Sequence, residues 1–403
     1  MSLATVISII LLLLGLSDGL TTRMPRLQRD IFYVAFFLTW FLCIIKYYYG
    51  SDTVNYVRFY EHVPHYTYVL AHSAELTFET GFAVFCSVLH SWGVSYYWMT
   101  AIVSTVYFVA LYFLLRMIPQ GRTFALMIVF VLDANLPMVQ LRQCMAVAFF
   151  ILMVLSLQNK RYLLTALFVI LACSFHRSGI FMVALTLFFS VLHSKTIPLY
   201  LYQLLIFVLA ILIIIPLYKV IAPVVRLLPF PDEYADTIVL HFRKGRQVQM
   251  VFFIYMTAVV CLAHYVQYRK TLFSTVGIVT VIGLVFMVSF YQFFFLLNRI
   301  RSYFLPFVVV YIFRLLSDKD ALQIPYAALL KQTAAVVIYV LMLHATYRSY
   351  TNNHQLISNP SNMCTVFELL HADKHAVQSR QMQLAENYWR YDYMKHDVQN
   401  QIK

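Results

Sequence analysis

The sequence predicts an all-α polytopic membrane protein with about twelve transmembrane helices, each of the usual 20 or so residues. Three observations predict it. Hydrophobic residues make up 62% of the 403-residue chain, charged residues only 12%, and the mean hydropathy is +0.73; a soluble domain carries about 25% charged residues. The apolar residues lie in long segments separated by short polar ones. Lys and Arg recur in alternate connections, following the positive-inside rule except at Arg243, Lys244 and Arg246.

The formal charge of +13 is scattered over those short loops rather than gathered on one basic face. It therefore reports membrane topology and argues against a nucleic-acid partner. The 30 Tyr and 34 Phe fit interfacial belts and also suit a groove for sugar or lipid. Of the six Cys, Cys43, Cys86, Cys144, Cys173 and Cys261 sit in apolar segments, where cysteine behaves as a small buried hydrophobe. With neither a disulfide framework nor a zinc spacing visible, no metal and no cofactor is expected.

Residues Leu3 to Leu16 form the first span, with no basic residue before it and no small-residue cleavage site, so a cleaved signal peptide is not expected. Arg23, Arg26 and Arg29 follow and place that loop in the cytoplasm and the N-terminus outside. Ile31 to Ile45 emerges outside and delivers a long mixed loop, about 46–95, of the kind that carries function. Within it, Phe82 to Leu89 is too short to cross about 30 Å of hydrocarbon and reads as interfacial or re-entrant. If it crosses, every later orientation reverses.

Met99 to Leu115 runs inward and is closed by Arg116 and Arg122, and Thr123 to Leu136 returns to a break at Pro137. Next comes the stretch the chain is organised around, Leu141 to Arg177. Its two apolar segments are joined by the basic turn at Lys160 and Arg161. Arg142 opens the first and His176 closes the second. At 1.5 Å per residue both ends finish within roughly 3 Å of one level, so a helical hairpin brings Arg142 and His176 to the same depth. Ionisable groups at such a level mark a site.

Ser178 to Leu192 goes in and Ile197 to Ile215 comes out. The second outer loop, about 216–247, carries Pro223, Pro229 and Pro231 and ends in Arg243, Lys244 and Arg246. That basic cluster suits a polyanionic ligand or anionic headgroups equally. Val248 to Ala263 goes in, Leu272 to Phe290 comes out to an outer turn carrying Arg299 and Arg301, Tyr303 to Phe313 re-enters, and Ile324 to Leu343 exits. Residues 1–344 are thus a transmembrane domain, and 345–403 a peripheral, mixed-charge tail on the outside. His371 and His375 stand i, i+4 but lack further ligands.

Several short elements, in order, carry a resemblance. Lys46 to Tyr56, an aromatic run followed by Gly50, Ser51, Asp52 and Tyr56, resembles the RY..G.D..NY segment of the EpsG family of Wzy-like polysaccharide polymerases. Glu79, Gly81 and Phe82 match that family's E.GF element, and Leu141, Arg142, Gln143 and Ala146 match its LRQ..A helix start. Phe175, His176 and Ser178 match FH.S, and Arg299, Tyr303 and Phe304 match R...YF. The similarity spans roughly residues 30 to 315. Lys46 stands where the family usually has Arg, keeping the charge but losing the bidentate fork, which argues against a phosphate clamp there.

The resemblance implies a multi-pass enzyme of the bacterial inner (cytoplasmic) membrane, GT-C-like in architecture, metal-free, with its active site facing the periplasm. It implies transfer of a growing glycan from undecaprenyl diphosphate to the non-reducing end of an incoming lipid-linked repeat unit. The partners implied are the undecaprenyl-diphosphate-linked oligosaccharide, membrane lipid and a chain-length regulator protein. Such a transfer needs the charge of the leaving diphosphate to be met, which Arg does with its planar fork. Arg142, Arg299 and Arg301 are the candidates; on a helix Arg299 and Tyr303 share a face while Arg301 points nearly opposite. The acceptor hydroxyl also needs a base. His176 serves at neutral pH without a shift, and Asp52 and Glu79 are its rivals. Tyr56 and Tyr303 are candidates to bind sugar or shape the groove.

Two other functions share much of this pattern. A ligase uses the same donor with a different acceptor, and composition does not separate it from a polymerase. A flippase for the same lipid-linked units would line a mid-membrane path with charge and show two related halves. Here the charges cluster at outer helix ends and no repeat is visible.

Overall fold

The computed structural model describes residues 10, 11, 13–15, 17, 24–50, 52–72, 78–193, 275–289, 294–317, 365–367, 373 and 375–383. Among them the chain is helical, without strands. Its helices are α1 (Pro25–Ile44), α2 (Thr53–Glu61), α3 (Tyr66–Ala71), α4 (Thr80–Ser91), α5 (Tyr96–Leu115), α6 (Arg122–Asp133), α7 (Asn135–Met138), α8 (Leu141–Gln158), α9 (Tyr162–Phe175), α10 (Arg177–His193), α11 (Thr275–Ser289) and α12 (Phe294–Ser317). The chain divides into two compact units. The first holds Met1–Phe149, Ile170–Arg177 and Ile324–Lys403, and the second Phe150–Val169 and Ser178–Gln323.

Three described helices, α1, α5 and α8, are long and apolar enough to cross a membrane, with mean hydropathies of 1.4, 1.9 and 1.7. At 20, 20 and 18 residues they reach about 27 to 30 Å. The expected spans 197–215, 248–263 and 324–343, the loop 216–247 with its basic cluster, and most of the first span and of the tail lie outside the described residues.

In the first unit α1 packs on α5 and α6. It buries Gln28, Phe32, Ala35, Thr39, Leu42 and Cys43, a stripe at three- and four-residue steps that falls on one helical face. Phe36 meets Phe108 edge to face at 5.5 Å and Tyr112 at 5.6 Å, and Trp40 Nε1 donates to Thr105 Oγ1 at 3.1 Å. Tyr33, Val34 and Phe37 on α1 stay exposed, the uncovered apolar side expected of a helix in lipid.

α4 is only 12 residues long and so matches the short, non-crossing element read from the sequence. The segment expected to run to Leu136 ends earlier, at Asp133, and a separate short turn, α7, holds Pro137. A proline ring excludes the carbonyl four residues before it, which here belongs to Asp133. Between α8 and α9, Lys160 takes φ 57°, while the amides of Arg161 and Lys160 close on the Ser156 and Leu157 carbonyls at 2.9 and 3.0 Å. This is the left-handed stop that turns the hairpin over.

In the second unit α11 lies against α12. Gly283 permits the approach, since a Cβ there would stand 2.3 Å from Phe304 Cβ. The stretch expected as an outer turn is instead the first half of α12, which runs unbroken from Phe294 to Ser317. Its Leu and Arg residues favour a helix, and no Gly or Pro interrupts it before Pro306.

Candidate functional site

The first unit gathers the sequence elements of the long mixed segment after α1 around the start of α8. Gly50 adopts φ 110°, a backbone state that side chains rarely take, and its open side faces Val139 Cγ2 at 2.8 Å from a built Cβ. The turn delivers Asp52 as the residue before α2, half-buried at the positive end of that helix. One turn later α2 presents Tyr56, 4% exposed, with its ring 5.6 Å from both Phe78 and Phe82.

Glu79 stands at the N-terminus of α4, and its side chain does not cap that helix. It reaches instead to Arg142, whose Nη1 donates to Glu79 Oε2 at 2.6 Å. The second oxygen, Oε1, accepts the backbone N–H of Arg177 at 3.2 Å. One carboxylate therefore ties the start of α8 to the junction after α9. His176, 6% exposed, lies next to that junction and acts on Glu79 electrostatically.

The approach of α4 depends on Gly81. A Cβ there would stand 2.4 Å from Ser174 Oγ and 2.7 Å from both Ser174 Cβ and the Ser174 carbonyl oxygen. That contact supplies the physical reason for the Glu79, Gly81, Phe82 element: the glycine lets the helix come close enough for the carboxylate to reach. Phe82 is fully buried behind it, and Phe175 packs edge to face on Phe85 at 5.8 Å.

Arg142 is held on several sides. Its guanidinium carbon lies 4.4 Å from the centroid of Phe78 and 5.9 Å from that of Tyr56, and the Tyr56 hydroxyl bonds to it. The aromatic faces and the carboxylate together offset the desolvation of the cation. Its side chain is 22% exposed and that of Glu79 11%. Burial by itself would raise the Glu79 carboxyl, but the Arg142 guanidinium, a backbone hydrogen bond and His176 outweigh it and hold the carboxyl below its usual range. Burial pushes the Tyr56 phenol up to about 12, so it stays neutral and keeps its proton.

Lys46, which replaces the expected Arg, is 3% exposed and belongs to a different contact. Its Nζ donates to the Pro137 carbonyl and, at 3.4 Å, to Ser104 Oγ, while its backbone bridges to Thr365. It rivets the end of α1 to α5 and α7, and takes no part in the Arg142 cluster.

Arg299, Arg301 and Tyr303 belong to the second unit, all on α12. Arg299 and Arg301 are half-buried. Tyr303 is fully buried, its hydroxyl 3.1 Å from Ser178 Oγ and its ring edge to face with Phe150 at 5.4 Å. Its place in the packing is thus defined by the same FH.S element whose serine it meets.

Sequence reasoning missed Phe78 as the shelf under Arg142 and the Arg177 amide as the anchor of Glu79. Phe78 directly precedes Glu79, but one aromatic among 34 Phe carries no signal by itself. Among the described residues no group of three or more His, Cys, Asp or Glu is placed to hold a metal.

Compared with known proteins, the chain matches no curated protein and no solved structure. A family model does match it, that of the EpsG family, over residues 30–358, which takes in every element of the site. The chain therefore belongs to the EpsG family.

Proposed function

We propose that this chain is a Wzy-type polysaccharide polymerase that transfers a growing glycan from undecaprenyl diphosphate to the non-reducing end of an incoming lipid-linked repeat unit. Family membership carries the general part, a membrane-embedded, Wzy-like polymerase. The finer reading is a GT-C-like glycosyltransferase of about twelve spans in the bacterial inner membrane, working at its periplasmic face beside a chain-length regulator.

The observation that supports it is the partly exposed Arg142, set on an aromatic shelf and flanked by Glu79 and the His176 junction. A guanidinium of this kind meets the charge that develops on a leaving diphosphate. The acceptor hydroxyl attacks the anomeric carbon, gives its proton to a base, and the bond to the diphosphate oxygen breaks. His176 and Glu79 stand together for the base, and Asp52 lies before the helix that carries Tyr56. Arg299 and Arg301 are proposed as further diphosphate contacts, and Tyr56 and Tyr303 as residues that shape the groove.

The test uses purified chain with a lipid-linked repeat unit, following product length on gels for wild type, Arg142→Ala, Arg299→Ala and His176→Ala. A ladder of lengthening glycans from wild type, lost in folded Arg142→Ala, is the expected result. An absent ladder together with movement of the lipid across vesicles would overturn the enzyme reading in favour of a transporter.

A further inference from the structure

We infer that Glu79 is the resting counter-ion of Arg142, and that a diphosphate group reaches the guanidinium by displacing it. The inference rests on the proposed diphosphate chemistry of Arg142 and adds how that site is kept when empty. The geometry carries it. Only one carboxylate oxygen, Oε2, is spent on Arg142, and the other is anchored by the Arg177 amide. Glu79 can therefore give up the guanidinium without losing its place.

Arg142 retains unused capacity. A guanidinium has five N–H donors in a planar fork, and its Nε is buried with no hydrogen-bond partner in the described structure. Phe78 holds the cation from its face, a contact that does not compete for those donors, while the Tyr56 hydroxyl takes up part of the fork. A diphosphate supplies more acceptor oxygens and more charge than one carboxylate, so exchange is favoured when it arrives.

Exchange also changes Glu79. With Arg142 turned to the ligand, the largest influence holding the carboxyl down is removed, and Glu79 becomes a stronger base beside His176 than it is in the resting pair. In the transfer itself the acceptor oxygen bonds to the anomeric carbon, the carbon–oxygen bond to the diphosphate breaks, and the hydroxyl proton passes to the freed carboxylate. The base is thereby strongest only when the donor is in place, which guards the site against idle hydrolysis.

The sign of one binding change separates this arrangement from a purely structural ion pair. Binding of inorganic diphosphate and of a short polyprenyl diphosphate is measured on the full chain in lipid nanodiscs, for wild type, Glu79→Gln, Arg142→Gln and the double variant. Gln keeps an acceptor for the Arg177 amide but drops the competing charge, so Glu79→Gln binds roughly tenfold tighter, and the gain vanishes when Arg142 is also Gln. Tightening with both probes assigns the exchange to the diphosphate itself, and tightening with the polyprenyl probe alone assigns it to a lipid-borne diphosphate. Unchanged or weaker binding in Glu79→Gln, while Arg142→Gln abolishes binding, overturns the exchange and leaves the clamp standing. Binding untouched by Arg142→Gln overturns the clamp and the exchange together. Should Glu79→Gln not purify as a monodisperse protein, Glu79→Asn, which also keeps an amide acceptor and drops the charge, carries the comparison.

Discussion

Gly81→Ala is the most exacting test of how the site is assembled, because a single methyl separates two helix ends. The added Cβ would stand 2.7 Å from the Ser174 carbonyl oxygen, whereas ordinary contact begins at 3.4 Å. Ser174 Oγ can rotate away, but its Cβ and carbonyl cannot, so α4 must retreat by about 0.7 Å, at an overpacking cost of about 1 to 3 kcal/mol. The same retreat would stretch the 2.6 Å contact between Arg142 and Glu79 beyond good hydrogen-bond length. Because an ångström of misplacement can cost about a hundredfold, a shift of this size should lower polymerisation by about tenfold. Thermal unfolding in detergent and the initial rate of ladder formation measure the two effects. Ser174→Gly removes the Cβ and Oγ clashes and should restore part of both losses. Full stability and full rate in Gly81→Ala would refute the close-approach argument.

Other perturbations probe neighbouring contacts. Arg142→Lys keeps the charge but loses the fork, and should lower the ladder rate by about tenfold or more, read from initial rates at saturating substrate. Burial lowers Lys46 from 10.5 to about 8, so the unfolded chain binds more protons than the folded one between those values and stability should rise with pH across that window. Unfolding midpoints of wild type between pH 7 and 10 should climb relative to Lys46→Met, in the roughly three-unit range where the lysine loses its proton. Glu79 has the opposite sign. Its carboxyl is held below the ordinary value of 4.5, so the stability it adds is present above that value and is lost as pH falls through its lowered folded value, seen as convergence of wild type and Glu79→Gln midpoints in acid. Tyr303→Phe removes the contact with Ser178 and should cost about 1 kcal/mol in the unfolding midpoint.

The helical, membrane class of the chain, the hairpin about Lys160 and the family were legible in the sequence, for reasons that are local or nearly so. Apolar segment length answers to the thickness of hydrocarbon, and the two ends of the hairpin follow from rise per residue. The short α4 was legible from its length alone. The turn expected around Arg299 was not, because aromatic and basic residues in sequence look interfacial, although the Leu and Arg among them suit the helix that forms.

What tertiary structure alone decided is who meets whom. Glu79 and Arg142 were read as a base and a clamp, two independent roles, yet they lie 63 residues apart in sequence and 2.6 Å apart in space. Nothing in either local stretch encodes that distance; it comes from Gly81 admitting α4 against Ser174 and from Gly50 turning the chain over Val139. Lys46 shows the converse, a motif charge that folding spends on the Pro137 carbonyl rather than on the site. The sequence by itself determined which residues carry charge and at which helix ends they stand, because hydrophobic periodicity and helix length are properties of a segment. Only the packed structure decided which charges neutralise one another, because that depends on side-chain contacts between segments distant along the chain.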